Sequence, residues 1–224
     1  MTSTTTWRAD PYTDALRTGR GPLFLRRDDG WLLPLEVERW CRAPDLADRS
    51  VLARCRGAVL DVGCGPGRLV AALAAEGHRV LGVDISPEAV VHTVRLGGSA
   101  LCRSVFEPLP SEGRWGTALL IDGNIGIGGD PTALLRRLRP VVSPGGRVIV
   151  ECVPADVDER CEVRVDDGRG GRGELFPWAR VGMRALAEQA AAAGWTLSER
   201  WSLTGRHFAV LTSQYAVLTG QSPP

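Results

Sequence analysis

From residue 58 onward, short apolar runs alternate with stretches whose apolar residues recur at helical spacing. Residues 58–62, 79–83, 100–105, 117–121 and 147–151 read as strands, since each is a brief apolar run bounded by turn residues. Between the first two, residues 68–76 place Leu69, Val70, Leu73 and Ala74 on one helical face, and Gly77 stops the helix. Ser86-Pro87-Glu88 opens a second helix with a hydroxyl N-cap and a proline whose missing N–H is tolerated in a first turn. It ends at Gly97-Gly98. Asp130-Pro131 opens a third, carrying Leu134, Leu135 and Leu138. A helix over 178–193 stops at Gly194, and 195–203 and 207–212 flank Thr204-Gly205 as a hairpin.

This alternation predicts an α/β fold: a doubly wound, mostly parallel seven-stranded sheet closed by a C-terminal antiparallel hairpin. Residues 1–57 lack the alternation and read as a helical N-terminal segment, broken at Asp10-Pro11 and Gly21-Pro22, that serves as a lid. The main domain then spans 58–217. Within it, residues 153–176 are polar and glycine-rich and read as a long mobile loop that closes over the site together with the N-terminal segment. The tail from Gly220 to Pro224 reads as frayed.

Composition narrows the chemistry. Lys+Arg 27 against Asp+Glu 26 leaves a formal charge of +1, so no global field draws the chain to nucleic acid or membrane. Every basic side chain other than histidine is arginine; without a lysine no Schiff base can form, which excludes lysine-anchored pyridoxal chemistry. The six cysteines form no Cys-x-x-Cys pair, so no metal site is expected. Residues 1–6 are polar and no run is long enough to span a bilayer, so a cytoplasmic protein with reduced thiols is expected.

The strand end at 59–62 runs directly into Gly63-Cys64-Gly65-Pro66-Gly67. A dinucleotide fingerprint requires a third glycine where this chain has Arg68, which argues against an NAD(P)-dependent oxidoreductase. Asp84, at the end of the next strand, sits where a carboxylate can accept hydrogen bonds from ribose hydroxyls. Asp122 and Asn124 follow the strand at 117–121 and read either as site residues or as turn formers. His207 is a candidate general base or a structural histidine. Arg164, Arg169 and Arg172 could clamp an anion or lie solvated in their loop.

Residues 61–67 and Gly82-Val83-Asp84-Ile85-Ser86 resemble motifs I and II of class I (Rossmann-like) S-adenosylmethionine-dependent methyltransferases, and 138–148 resembles the approach to their fifth strand. The resemblance covers 58–152. It implies S-adenosyl-L-methionine as cofactor and in-line methyl transfer to a small molecule. By the same resemblance Gly63, Cys64, Gly65 and Gly67 border the cofactor's methionine and ribose, Asp61 orders the turn, Asp84 holds the ribose and Ile85 packs on adenine. Ser104 stands where relatives often carry an acid for the adenine amino group, and Val105 offers its backbone. Asp122 lies in the loop that faces the methyl. Apart from the resemblance, Tyr12 and Arg20 of the N-terminal segment read either as lid residues touching the cofactor carboxylate or as surface and packing residues. The Asp-Gly-Asn-Ile sequence at 122–125 differs from the Asp/Asn-Pro-Pro-Tyr of base and amide N-methyltransferases, so no nucleic-acid partner is expected. A non-catalytic S-adenosylmethionine-binding protein is the alternative reading.

Overall fold

The computed structural model describes residues 11–213. The frayed-tail reading and the breaker at Asp10 therefore lie outside the described residues, apart from Pro11. The chain opens with helix α1 (Pro11–Thr18), strands β1 (Phe24–Arg26) and β2 (Leu32–Pro34), and helices α2 (Val37–Trp40) and α3 (Leu46–Leu52). Alternation follows: β3 (Val59–Val62), α4 (Arg68–Ala75), β4 (Val80–Asp84), α5 (Pro87–Arg95), β5 (Ala100–Cys102) and β6 (Trp115–Leu120). A single 3-10 turn at Asn124–Gly126 leads to α6 (Pro131–Val141) and β7 (Val142–Cys152). Strands β8 (Asp158–Asp166) and β9 (Phe176–Val181), helix α7 (Met183–Ala192) and the hairpin β10 (Trp195–Leu203) and β11 (Arg206–Ser213) complete it.

Seven strands form the main sheet in the order β10-β11-β7-β6-β3-β4-β5. The pairs from β7 through β5 are all parallel, and β11 runs antiparallel to both β7 and β10. The central strand β3 is buried at every residue because both faces are covered by helices. Leu60, Leu120, Leu134, Leu138 and Val150 pack one face; Val59, Leu69, Leu73 and Phe208 pack the other. The chain proceeds from β3 outward to β4 and β5, then returns to place β6 on the other side of β3. This reversal opens a crevice beyond the carboxyl ends of β3 and β6, where ligands of such sheets bind.

Two expectations are corrected. The N-terminal segment is not wholly helical, since β1 and β2 form an antiparallel pair within it. The stretch expected as a mobile loop, 153–176, instead supplies all of β8 and the first residue of β9. These four strands make a second, antiparallel sheet in the order β2-β1-β8-β9, with Leu25 opposite Val165 and Cys161 opposite Trp178. Leu23, Leu25, Val37, Val163 and Val165 form its own small core. The helix expected over 178–193 likewise begins only at Met183, because its first residues belong to β9.

Candidate functional site

The glycine bend and the acid after β4 meet. Gly63 and Gly65 adopt φ of 70° and 53°, a left-handed backbone that favours glycine. These turns bring the Gly65 N–H to Asp84 Oδ2 at 2.9 Å, while Asp84 Oδ1 accepts the Ser86 N–H at 2.9 Å. Burial pushes the Asp84 carboxyl up, and the Ser86 and Gly65 N–H donors oppose that rise. Each carboxylate oxygen retains a further lone pair. Gly63, Cys64, Gly65, Asp84 and Ile85 all line a cavity of about 980 Å³. Ile85 is 48% exposed, an apolar side chain left open to that cavity.

The opposite side of the crevice is the loop after β6. Asn124 Nδ2 donates to the carbonyls of Val62 and Gly63, both at 2.8 Å. Its amide nitrogen is thus committed to holding the glycine bend, and a Cβ on Gly63 would fall 2.7 Å from that nitrogen. Asp122 sits in the left-handed region at φ 60°, which Asp tolerates better than most residues. Its Oδ1 meets Arg39 Nη1 at 2.7 Å and Arg206 Nη2 at 3.3 Å, and its Oδ2 meets Arg68 Nη1 at 2.7 Å. Asp122 and Asn124 both line the cavity, engaged as anchors of the loop.

Asp122 belongs to a buried ionic network. Arg68 grips Asp48 through two parallel bonds of 2.9 Å, and Arg206 reaches Asp48 at 2.8 Å and Glu151 at 2.7 and 2.8 Å. Burial alone would raise the Asp48 carboxyl, but the Arg68 and Arg206 guanidiniums outweigh it and hold the group well below the usual carboxylate range. The network ties α3 and the first turn of α4 to β7, β11 and the loop after β6. Sequence reasoning noted Arg68 only as a missing glycine and did not pick out Asp48, Glu151 or Arg206.

The remaining sequence candidates divide. Ser104 and Val105 line the cavity; the Ser104 hydroxyl accepts the Phe106 N–H at 3.2 Å. Tyr12 of α1 also lines it, its hydroxyl 3.7 Å from where a Gly65 Cβ would stand. Four residues fall elsewhere. Asp61 is buried within β3 off the cavity surface, and burial lifts its carboxyl to about 7, Arg68 opposing and Asp122, Asp84 and Asp48 adding to the rise. Gly67 lacks a side chain because Thr93 of α5 occupies the space. Arg20 lines a separate crevice with Glu38, Arg42 and His92. His207 pairs on β11 with Cys152 and Ser202 outside the cavity. Alternation along a strand sends neighbours to opposite faces, so Arg206 rather than His207 turns toward Asp122 and the buried network.

Among the described residues, no group of three or more His, Cys, Asp or Glu is placed to hold a metal, and no helix is long and apolar enough to cross a membrane. Residues 59–146 match the family model described as a methyltransferase domain. The ubiquinone biosynthesis O-methyltransferase of Xanthomonas euvesicatoria pv. vesicatoria is 32% identical over 129 residues, covering 54% of this chain and 53% of that protein. The chain thus spans about half the length of that relative. A S-adenosylmethionine-dependent methyltransferase from Bacteroides fragilis, solved with S-adenosyl-L-homocysteine, shares the fold with a TM-score of 0.76, at 22% identity over 91% of this chain and 92% of its own. The 1,6-didemethyltoxoflavin-N1-methyltransferase of Burkholderia thailandensis superposes with a TM-score of 0.55, at 22% identity over 75% of this chain and 78% of its own. Together these matches show a methyltransferase-domain match over residues 59–146 and a fold shared with the two solved structures.

Proposed function

We propose that this chain transfers a methyl group from S-adenosyl-L-methionine to a small molecule. One observation carries the reading: the Gly63–Gly65 bend and the Asp84 carboxylate are joined by a hydrogen bond at the wall of one cavity, at the strand-order reversal of the sheet. The residues fit an adenosine-bearing ligand. Asp84 keeps one acceptor site on each oxygen for vicinal hydroxyls, and Ile85 and Val105 offer apolar surface for a base. Gly63 and Gly65 let backbone approach the methionyl part without a side chain between. When bound, the cofactor supplies an electrophilic sulfonium methyl that an acceptor's lone pair takes by in-line displacement, leaving S-adenosylhomocysteine.

The protein's own task is orientation and exclusion of water. Holding two reactants at near-attack geometry can remove roughly 7–11 kcal/mol of barrier. Asn124 and the Asp122 ion pairs fix the loop that borders the bend, so the two walls of the crevice keep their spacing. Tyr12 and Trp40, on α1 and α2, also line the cavity. A small-molecule acceptor agrees with the 1,6-didemethyltoxoflavin bound to the Burkholderia thailandensis neighbour.

Calorimetric titration with S-adenosylhomocysteine tests the reading. The wild-type chain is expected to bind with one-to-one stoichiometry, and Asp84→Ala to bind at least about tenfold more weakly, the loss of one charge-assisted hydrogen bond. Binding by Asp84→Ala as tight as wild type would remove the assignment.

A further inference from the structure

We infer that the methyl acceptor is a flat aromatic or heteroaromatic molecule whose ring lies against Trp178; this rests on the methyltransferase reading above and names the substrate class of the same site. The cavity extends past the glycine bend toward the second sheet. There its wall is made by Leu25, Leu35, Trp40, Val165, Phe176 and Trp178. The aromatic rings are fixed by one another. Phe176 and Trp178 meet edge-on at 6.1 Å and 88°, and Tyr12 meets Trp40 at 6.4 Å and 60°. Paired rings of this kind present rigid apolar faces at low entropic cost.

The loop at 123–129 explains why Trp178 is singled out. It carries four glycines, Gly123, Gly126, Gly128 and Gly129, of which Gly128 lines the cavity. A Cβ on Gly126 would collide first with the Ala179 carbonyl of β9 and then with Trp178, 2.7 Å from Cε2 and 2.9 Å from Nε1, and one on Gly123 would touch Cζ2 at 3.9 Å. Gly129 is bare for Pro177 at 2.7 Å, and Gly128 for Phe106 at 2.8 Å. The bare positions let both the backbone of β9 and the side chains of Trp178, Pro177 and Phe106 lie against this loop. The same loop carries Asp122 and, through Asn124, is pinned to Gly63. Trp178 is therefore seated directly on the backbone that borders the glycine bend.

The charged groups of the cavity point the same way. Asp84, Asp122 and Arg68 are engaged within the protein, Arg103 donates to the Pro108 carbonyl and Arg172 pairs with Asp166. Of the lining carboxylates among the described residues, Asp122 is ion-paired, Asp84 accepts backbone N–H groups, and Glu174 is exposed. No histidine lines the cavity. A polyanion or polycation would meet no complementary set, whereas a planar, mostly apolar ring would cover the exposed faces. Such an acceptor brings its own nucleophile, a ring nitrogen or a hydroxyl acidic enough to ionise in water.

The test uses the full chain saturated with S-adenosylhomocysteine. Lumazine and umbelliferone serve as planar probes, glucosamine and spermidine as saturated ones, with binding read by calorimetry. The planar probes are expected to bind in preference to the saturated ones. Trp178→Leu, which keeps an apolar side chain but removes the ring, is expected to weaken them about tenfold, and Trp178→Phe by no more than about threefold. Affinity for S-adenosylhomocysteine is expected to stay at the wild-type value in both variants, which separates loss of the ring from loss of the fold. Preference for glucosamine or spermidine, failure of both planar probes, or full planar binding by Trp178→Leu would overturn the inference. Failure of the wild-type chain to take S-adenosylhomocysteine would overturn the underlying reading and this one with it.

Discussion

Replacing Asn124 tests how the glycine bend is held. Its amide donates to two carbonyls, Val62 and Gly63, each at 2.8 Å, at the point where the chain leaves β3. Asn124→Ala leaves both carbonyls without that donor. At about 0.5–1.5 kcal/mol per bond, the expected loss is about 1–3 kcal/mol. For a chain of this size, the middle of that range lowers Tm by roughly 4–8 °C. Asn124→Asp is the sharper test, because the isosteric carboxylate turns a donor into an acceptor against two acceptors. Near pH 8 its penalty should exceed that of alanine. As the pH falls to about 4 the carboxyl regains a proton, can donate to one carbonyl, and should recover part of the loss. Melts followed by circular dichroism, with S-adenosylhomocysteine titrations alongside, read both effects. A melt for Asn124→Asp at pH about 8 that coincides with wild type would refute the claim that this amide holds the bend.

The buried network and the buried acids make further predictions. Arg68→Ala removes both parallel bonds to the fully buried Asp48, leaving Arg206 as its remaining cation, and should destabilise by about 3–5 kcal/mol in urea unfolding; a loss under about 1 kcal/mol would contradict the network's role. Asp61 has a folded pKa raised from 3.8 to about 7. Between those values the unfolded chain releases the proton while the folded one keeps it, so stability falls as pH rises through this window, by on the order of 4 kcal/mol. Asp61→Asn lacks this decline, so its stability relative to wild type should climb with pH across the window and level off above it; a pH-independent difference would contradict the raised value. Arg206→Met should weaken S-adenosylhomocysteine binding and lower Tm, whereas His207→Ala should change binding by less than about twofold, as residues facing away from a site do.

The readable part of the fold is the part with local signals. Residues 58–152 show strand, glycine turn and capped helix within a few residues of each other, and Ser86 and Asp130 are N-caps in the structure as their sequences predict. The second sheet was not readable, because β1 is three residues long and its partner β8 lies about 140 residues further on. Half-buried β8, rich in Asp, Glu and Arg, reads as loop until a partner defines its inner face. Asp84 was legible because its position relative to the glycine turn is set by one β-α-β unit. The sequence left His207 open between a base and a structural role and did not pick out Arg206, because strand register, which decides the face of each, is set by β7 and β10 and not by the hairpin itself. The glycines at 123–129 carried a signal whose meaning depended on Trp178, from a strand outside the reach of local pattern.

A crystal structure of the chain grown with S-adenosylhomocysteine bears most directly on the whole account. The account predicts density for the ribose hydroxyls on the Asp84 carboxylate, the base against Ile85, and the thioether beside Gly63. Ligand density lodged at another place on the molecule, with Asp84 still bridging only Gly65 and Ser86, would contradict it.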